Sequence, residues 1–546
     1  MKTALPWFVA LLAACGTPGS DEPEPSTDAR ASALSTEHGS AATVSDEAVP
    51  PEPEPSALLD AIIDCGAVIP KVSGEYVLSD VSQLAAIEST GCNYLDGNLR
   101  VAFTVPLVPS SQRHLFSPPS IKQITGRVLQ GSTFGRGSTQ WVHFTGLEQV
   151  GSIEAYKEQG CDYPALTQAG AIRMEDALDC QFPALRSVAD LSIKKAKAVT
   201  GFNALTTVPS LRIEGDTVNI TGFRSLAAAG GVTLSAGKAA SGNWTGSFKL
   251  LARIDEISAE RIDFRSLSLP KLSQVTGNAV FRSCQSAVRA LKSVTEVGGS
   301  LTVHDDSAFS DLFHEGPAAL QRVGGAMDLQ VGRGWLQGYK GLKTVGGMLS
   351  VSGIRYDMDA FANLTSTGGL SLSGMAAEVA GFDKLTTVSG PLRIRNSESA
   401  SSVGSLRTFA RLTEVQGDVD LVLGCDAQEA FVKLRTIAGK LRYDRARVSR
   451  VAAATPALFP ALEQVGGALS TSNLDDGFNA LTRIGGTLSI LNVPRYLGPG
   501  SIRGYRKLTT VVGDLVIDKE VTTHGPDSSQ RLLDQLVGFT GRVILL

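Results

Sequence analysis

The chain has 546 residues, of which 43% are hydrophobic, 19% charged and 6% aromatic, so it can bury a large core and is not a disordered protein. Its formal net charge of -4 gives no strong field of either sign, which argues against nucleic acid and anionic lipid surfaces as partners. The most apolar run, residues 4–14, is shorter than the roughly 20 residues that span a bilayer. The composition therefore predicts no transmembrane helix and no nucleic-acid partner.

The first 14 residues have the pattern of a secretory signal. Lys2 precedes the apolar run over residues 4–14, as a charged start precedes the hydrophobic core of an export signal. The run ends in Leu-Ala-Ala-Cys at residues 12–15, which resembles the lipobox of bacterial lipoproteins. The resemblance implies cleavage before Cys15 and a diacylglycerol on its thiol, which anchors the chain to a membrane. The alternative is an ordinary signal peptide that is cleaved near Cys15.

Residues 15–56 are predicted to be a lipidated cysteine followed by a disordered tether. The segment is rich in Pro, Glu and Ser, and such a composition cannot bury enough apolar surface to offset its ordering entropy. Gly16, rather than Asp, follows the cysteine. In the enterobacterial sorting pattern this resemblance implies the outer membrane, so we expect the protein in the cell envelope, on the outer membrane or the cell surface.

From about residue 58 an internal repeat dominates. Its consensus is a Phe or Tyr, and three residues later Leu-x-x-Val-x-Gly-x-Leu-x-Ile; residues 382–394 and 478–490 are clear copies. About twenty copies follow at a mean spacing of roughly 23 residues, within the range of leucine-rich repeats. Some copies lack one residue of the consensus, namely those beginning at Leu166, Leu185, Leu205, Leu226 and Leu364.

Each copy predicts one turn of a solenoid. The Leu-x-Ile alternation is a short strand with its apolar side inward, and stacked turns pair these strands into a parallel sheet. Gly pairs such as 298–299 and 346–347 suit a bend, where either positive φ or close backbone approach excludes side chains. The predicted fold is mainly β: a right-handed parallel β-solenoid over residues 57–546. Short helices near 56–64 and 532–536, the latter with a last strand near 543–546, are predicted to cap the ends.

The solenoid resembles the receptor L-domain family. The resemblance rests on Gly-Glu-Tyr-Val-Leu at residues 74–78, Cys-Asn-Tyr-Leu-Asp-Gly-Asn-Leu-Arg-Val at 92–101, and the leucine-rich turns that follow to about residue 517. It implies a recognition module, but this chain has far more turns than one L domain and lacks the Cys-rich modules between them. Two fused L domains and one continuous solenoid both remain open.

The cysteines predict two disulfides. Cys161 and Cys180 each lie five residues before a repeat leucine, so they occupy equivalent positions on adjacent turns, ~4.8 Å apart, within reach of a disulfide. Cys65 and Cys92 are expected to join the cap to the first turn, as an exported chain permits. The remaining pair, Cys284 and Cys425, is about six turns apart and is predicted to be buried thiols.

Candidate contact residues are few. The outward position of each Leu-x-Ile strand should form one column of mixed charge without aromatic residues, which is typical of a solvated sheet face: Arg100, Arg173, Ser192, Arg212, Thr233, Thr302, Asp328, Ser350, Ser371, Arg393, Asp420, Arg442, Ser470 and Ser489. Trp141, Trp244 and Trp335, expected in loops or bends, are better candidates for ligand contact. The sequence His-Asp-Asp at 304–306 could bind a cation or transfer protons, although a solvated loop is the favoured interpretation.

The motifs indicate no catalytic, cofactor or metal site. The leading interpretation is therefore a non-catalytic, lipid-anchored surface protein that recognises or adheres to an unidentified protein or glycan. One alternative is a polysaccharide-active enzyme on a parallel β-helix, which would need charged residues at one position on successive turns. The other is a purely structural envelope protein.

Overall fold

We describe a computed structural model of the chain. It describes residues 62–102, 115–116, 120–130, 141–156, 160–176, 180–237, 242–304, 313–331, 335–353, 358–375, 379–396, 406, 408–423, 430–445, 458–471, 476–491, 503–518 and 526–546. These residues lie in one compact unit, Ala61–Leu546.

One long parallel sheet forms the main wall of a β-solenoid. Each strand pairs with the corresponding strand of the next turn, so the ladder follows the order of the chain. The inward leucines and isoleucines stack on their equivalents, as Leu211 pairs with Val232, and are almost fully buried. The strands are Glu75–Leu78, Leu99–Val101, Gln123–Gln130, Gln149–Tyr156, Gln168–Glu175, Ser187–Lys194, Thr207–Glu214, Ala228–Ser235, Arg253–Glu260, Ala279–Arg282, Leu301–His304, Met327–Gln330, Thr344–Ser352, Ser366–Met375, Leu392–Asn396, Val419–Leu423, Leu441–Arg445, Leu469–Thr471, Leu488–Ile490, Leu515–Ile517 and Val543–Leu545.

The length of the repeat decides whether this strand is continuous. Copies that lack one residue of the consensus form unbroken strands such as Ser187–Lys194 and Thr207–Glu214. Full-length copies either shift register, as between Val345 and Met348, or split off a short strand at the Val position. The extra residue thus acts as a bulge. The short strands are Tyr94–Leu95, Gln274–Val275, Glu296–Val297, Arg322–Val323, Thr387–Val388, Glu414–Val415, Thr436–Ile437, Gln464–Val465, Arg483–Ile484 and Thr510–Val511.

Close backbone approach, and not positive φ, explains the glycine pairs. A Cβ on Gly324 would lie 2.0 Å from the carbonyl oxygen of Gly298 one turn earlier, and a Cβ on Gly346 would lie 2.0 Å from that of Gly324. No positive φ occurs at these glycines. The backbones of neighbouring turns meet at this bend, which excludes any side chain.

Three smaller parallel sheets form a second wall. They consist of Leu115–Phe116, Trp141–His143 and Gly160–Asp162; of Ala198–Val199, Thr217–Ile220, Asn243–Ser247 and Leu267–Ser268; and of Phe313–Glu315, Trp335–Gly338, Met358–Ala360 and Val379–Ala380. Each strand pairs in parallel with the equivalent strand of the next turn. Every such turn therefore has apolar residues from two walls facing the same interior.

Buried aromatic rings stack along the solenoid beneath the tight turn that precedes each repeat leucine. Neighbouring ring centroids are 5.1–5.6 Å apart, close to the spacing of paired strands. In the turns from Tyr163 onward that contain these rings, the leucine N–H donates to the carbonyl of the residue three positions earlier, as Leu205 does to Phe202. The first stack is Phe144, Tyr163, Phe182, Phe202, Phe223 and Phe248, and the second is Tyr339, Phe361, Phe382, Phe409, Phe431, Phe459, Phe478 and Tyr505.

The N-terminal end is covered by a helix that the sequence prediction did not place. Of the predicted helix 56–64, the described residues 62–64 are not helical; a 3-10 helix, Cys65–Ala67, follows, and the short antiparallel pair Lys71–Val72 and Glu75–Leu78 comes next. The α-helix is Val81–Thr90, capped by Asp80 and Gln83 and ended by Gly91 at φ 62°. The capping box in Asp-Val-Ser-Gln, residues 80–83, was the sequence signal that could have identified this helix.

The C-terminal end contains the predicted helix and strand, Pro526–Gln535 and Val543–Leu545. The helix packs on the core, where Leu532 is buried and Leu533 contacts it, but the inward side chains of the last strand are not covered. Val543 and Leu545 are 43% and 56% exposed, although Leu515 and Ile517, their partners one turn earlier, are fully buried. The inward side of this turn therefore remains accessible to solvent. The chain also contains the short helices Ala287–Ala290, Asp476–Phe478 and Arg503–Tyr505.

Candidate functional site

The register confirms the predicted outward column of the main sheet. Arg173 pairs with Glu154 on one side and Ser192 on the other, and the same pairing continues through Thr302, Asp328 and Ser350. Between Arg100 and Ser489 the prediction omitted four members, Leu129, Glu154, Ser258 and Val280. The register also extends the column to Val77 at one end and to Val516 and Ile544 at the other. The column mixes both charge signs with small polar residues and with apolar ones such as Leu129 and Val280.

A groove of about 470 Å³ crosses the main sheet near its N-terminal end. One side of it is a second outward column, in which Gln123, Gln149, Gln168 and Ser187 lie in register on four successive strands. Gln149, Gln168 and Ser187 are exposed. The groove therefore collects amide and hydroxyl groups from four turns of the solenoid, spaced ~4.8 Å apart.

The rest of the groove lining is uncharged. It consists of Thr125, Gly151 and Gly170, together with the apolar residue that precedes each of them on its strand, namely Ile124, Val150 and Ala169. A Cβ on Gly151 would lie 2.2 Å from the carbonyl oxygen of Thr125, and one on Gly170 would lie 2.3 Å from that of Gly151. The sheet bends at these glycines, as it does at the glycine pairs of later turns.

A network of ion pairs fixes the strands next to the groove. Arg127, two residues beyond Thr125, contacts Glu75 at 3.0 Å and Glu154 at 3.3 Å, and so joins three turns. Partial burial by itself lowers the pKa of Arg127, because it disfavours the charged guanidinium. The carboxylates of Glu75 and Glu154 outweigh this effect and hold the pKa of Arg127 above its ordinary value. The hydroxyl of Tyr156 donates to Glu154 at 3.2 Å. These contacts restrain the strands that form the groove.

Both predicted disulfides are present. Cys65 and Cys92 have Cα atoms 5.1 Å apart, and those of Cys161 and Cys180 are 4.4 Å apart on adjacent turns. Cys284 is buried and forms no disulfide within the described chain; its sulfur lies 3.3 Å from the carbonyl oxygen of Arg282.

Two cysteine predictions lie outside the described residues: the predicted lipid attachment at Cys15, and the pairing state of Cys425.

The prediction that the three tryptophans lie in loops or bends is wrong, and for Trp244 the expected availability for ligand contact is wrong as well. Trp141, Trp244 and Trp335 all lie in strands of the second wall. The side chain of Trp244 is fully buried, and its indole N–H donates to the carbonyl of Gly215 at 2.9 Å. Alternation on the strand Asn243–Ser247 places the indole inward and its polar neighbours, Asn243 and Thr245, outward.

His304 ends a main-sheet strand and contacts the next turn. Its Nε2 atom lies 2.8 Å from Oδ2 of Asp328. Asp305 and Asp306 lie outside the described residues. Among the residues that the structure describes, no group of three or more His, Cys, Asp or Glu side chains could hold a metal ion. No helix in the described parts of the chain is long and apolar enough to cross a membrane.

The architecture defines the class of protein: a parallel β-solenoid with two walls and stacked leucine-rich turns. No protein-family model and no curated protein matches the chain.

Sequence reasoning missed the groove because it considered only the Leu-x-Ile positions. The signal was a glutamine just before the first inward residue of three successive turns, in Lys-Gln-Ile, Glu-Gln-Val and Thr-Gln-Ala.

Proposed function

We propose that this protein is a non-catalytic binding protein of the cell envelope that holds an uncharged glycan in the groove across Gln123, Gln149, Gln168 and Ser187. The observation that carries the proposal is the register of these side chains on four successive strands. An amide both donates and accepts hydrogen bonds, which suits sugar hydroxyls, and the uncharged lining suits a neutral ligand.

A binding role also agrees with the chemistry of the lining. Amide, hydroxyl and backbone groups orient a ligand, whereas hydrolysis of a glycan needs a pair of carboxyl groups near the scissile bond. A resemblance to receptor L domains, which are recognition modules, favours the same role, and the parallel solenoid is the part of that resemblance that the structure shares.

A screen of uncharged oligosaccharides with the full chain tests this proposal. For an oligosaccharide that binds, we expect Gln149→Ala with Gln168→Ala to weaken binding by roughly tenfold, because two hydrogen-bonding groups are removed. Gln274→Ala with Gln464→Ala is the matched control. These exposed glutamines occupy the same strand position on turns outside the groove. Equal binding by both double variants would rule out the groove as the site.

We further propose that the chain is exported and anchored through lipid on Cys15. The lipobox-like residues 12–15 and the Pro-rich segment behind them support this. Intact-mass spectrometry of protein from bacterial membranes should show loss of residues 1–14 and a diacylglycerol adduct, and Cys15→Ser should leave the protein in the soluble fraction. An unlipidated wild-type mass would contradict the anchor.

A further inference from the structure

The tight turns of the solenoid place basic side chains on one corner. Residues 223–227, 248–252, 269–273, 291–295, 317–321 and 339–343 are the equivalent turn segments of six successive repeats. Together they contain six basic residues and no acidic ones. We call these six residues the basic ridge: Arg224, Lys249, Lys271, Lys292, Lys340 and Lys343.

The fold aligns the ridge along the solenoid. All six turns are closed by the same hydrogen bond, from the N–H of the fourth residue to the carbonyl of the first, as when Leu251 donates to Phe248 and Leu320 donates to Pro317. Residues at the same position of adjacent turns are therefore ~4.8 Å apart. Four of the ridge residues take the second position of their turns, Lys271 takes the third and Lys343 the fifth, and the turn 317–321 has no basic residue. All six basic side chains are exposed. They form a row of positive charges that the linear sequence spreads over more than a hundred residues.

No acidic side chain of the described residues pairs with the basic ridge. The two arginines on the strands beside it each have an acidic partner, Arg253 with Asp255 at 3.4 Å and Arg322 with Glu296 at 3.7 Å. Within the described part of the chain, none of the six ridge residues takes part in an ion pair. A chain with a net charge of -4 therefore carries a local positive field at this corner.

We propose that the basic ridge binds a linear anionic polysaccharide laid along the solenoid. An extended chain of sugar rings carries sulfate or carboxylate groups at intervals of the same order as the ~4.8 Å between turns. Five of the six residues are lysines, which act as flexible point charges and tolerate irregular placement of the anions. The ridge covers turns after the groove, so it is a second surface and does not depend on the glycan proposed there.

Other polyanions fit the ridge less well. Single-stranded nucleic acid would be expected to stack bases on exposed aromatic rings, whereas the aromatic residues of these turns, such as Phe223 and Phe248, are buried. A membrane-binding surface combines basic residues with several exposed apolar side chains. On the described ridge turns only one large apolar residue is strongly exposed, Leu250 at 50%.

The test compares the full chain binding to immobilised dextran sulfate and to uncharged dextran. We expect binding to dextran sulfate alone, weakening as salt rises because exposed charges are screened. The triple variant Lys249→Gln, Lys271→Gln and Lys292→Gln should bind roughly tenfold more weakly. The control, Lys194→Gln, Lys195→Gln and Lys197→Gln, removes three exposed lysines at another corner and should bind like the wild type.

The outcomes are distinct. Equal binding by the two triple variants, or equal binding to both dextrans, would overturn the ridge as the site. Tighter, ridge-dependent binding to phosphatidylglycerol vesicles or to duplex DNA than to dextran sulfate would also overturn the proposal, in favour of a membrane or nucleic-acid partner. Matching urea midpoints would show that each variant is folded. Loss of uncharged oligosaccharide binding in the groove variants would leave this result unaffected.

Discussion

At the scale of single residues, the aromatic stack is the most demanding feature of the core. Phe202 is fully buried and lies between Phe182 and Phe223, with ring centroids 5.1 Å away on both sides. Phe202→Ala should lower the free energy of unfolding by about 3–5 kcal/mol, because it removes the buried ring and leaves a cavity. Urea unfolding followed by circular dichroism would measure the loss.

The chain supplies its own control for this change. Leu269 and Leu291 occupy the aromatic position in two turns and are buried there. Phe202→Leu should therefore cost less than about 1.5 kcal/mol, as substitutions of similar shape in a core do. A Phe202→Ala protein as stable as wild type would show that the stack does not contribute to stability.

Gly324 and Gly231 make a second matched pair. A Cβ at Gly324 would lie 2.0 Å from the carbonyl oxygen of Gly298, whereas a Cβ at Gly231 would meet nothing within 4 Å. Gly324→Ala should lower the urea midpoint clearly, since neighbouring turns must separate. Gly231→Ala should leave it unchanged or raise stability by about 0.4–1 kcal/mol through the unfolded state. The reverse order would show that backbone approach does not determine the glycine positions.

The glycines also show how far sequence reasoning reached at this scale. The repeat identified where glycine was needed, but it left positive φ and close approach as alternatives, because only the neighbouring turn distinguishes them. The placement of Trp244 was wrong for a related reason: pairing with the neighbouring turns makes this segment a strand, and alternation on that strand turns the indole inward.

At the scale of elements, the helix Val81–Thr90 depends on its N-terminal cap. Asp80 accepts a hydrogen bond from the backbone N–H of Ser82 at 2.8 Å, and this bond lowers the pKa of Asp80. A carboxyl with a depressed folded-state pKa stabilises above its unfolded value and loses that contribution as the pH falls through the folded value. The cap should therefore weaken only in acid.

Hydrogen exchange of the peptide over residues 81–90 tests this pH dependence. At neutral pH the wild type should be at least as protected as Asp80→Asn, which keeps a capping oxygen, and more protected than Asp80→Ala. Below about pH 4 any advantage over Asp80→Asn should shrink, because the carboxyl becomes protonated. An advantage independent of pH would contradict the role of its charge.

Elements were predicted well where they belong to the repeat and poorly at the ends. The strand Leu392–Asn396 and its neighbours follow from alternation, and the disulfide Cys161–Cys180 follows from equivalent positions on adjacent turns. The helix Val81–Thr90 precedes the first repeat, so the repeat pattern does not predict it. Its only signal in the sequence is the capping box at its start. The exposed Val543 and Leu545 could not be predicted, since their pattern is identical to that of buried strands.

At the scale of the whole molecule, stacking joins residues that are distant in the sequence. Gln123 and Ser187 are 64 positions apart, yet three strand pairings connect them, and the basic ridge arises in the same way. Net charge and composition average over such surfaces, which is why they indicated no polyanion partner. Both candidate surfaces become visible only when the register of successive turns is known.

Four stacked turns should form one glycan site, which a crystal structure of the full chain with an oligosaccharide selected by the screen would show. We expect the sugar to lie in the groove, with hydroxyls within hydrogen-bond distance of Gln149 and Gln168. A sugar bound elsewhere, with the groove empty, would contradict it.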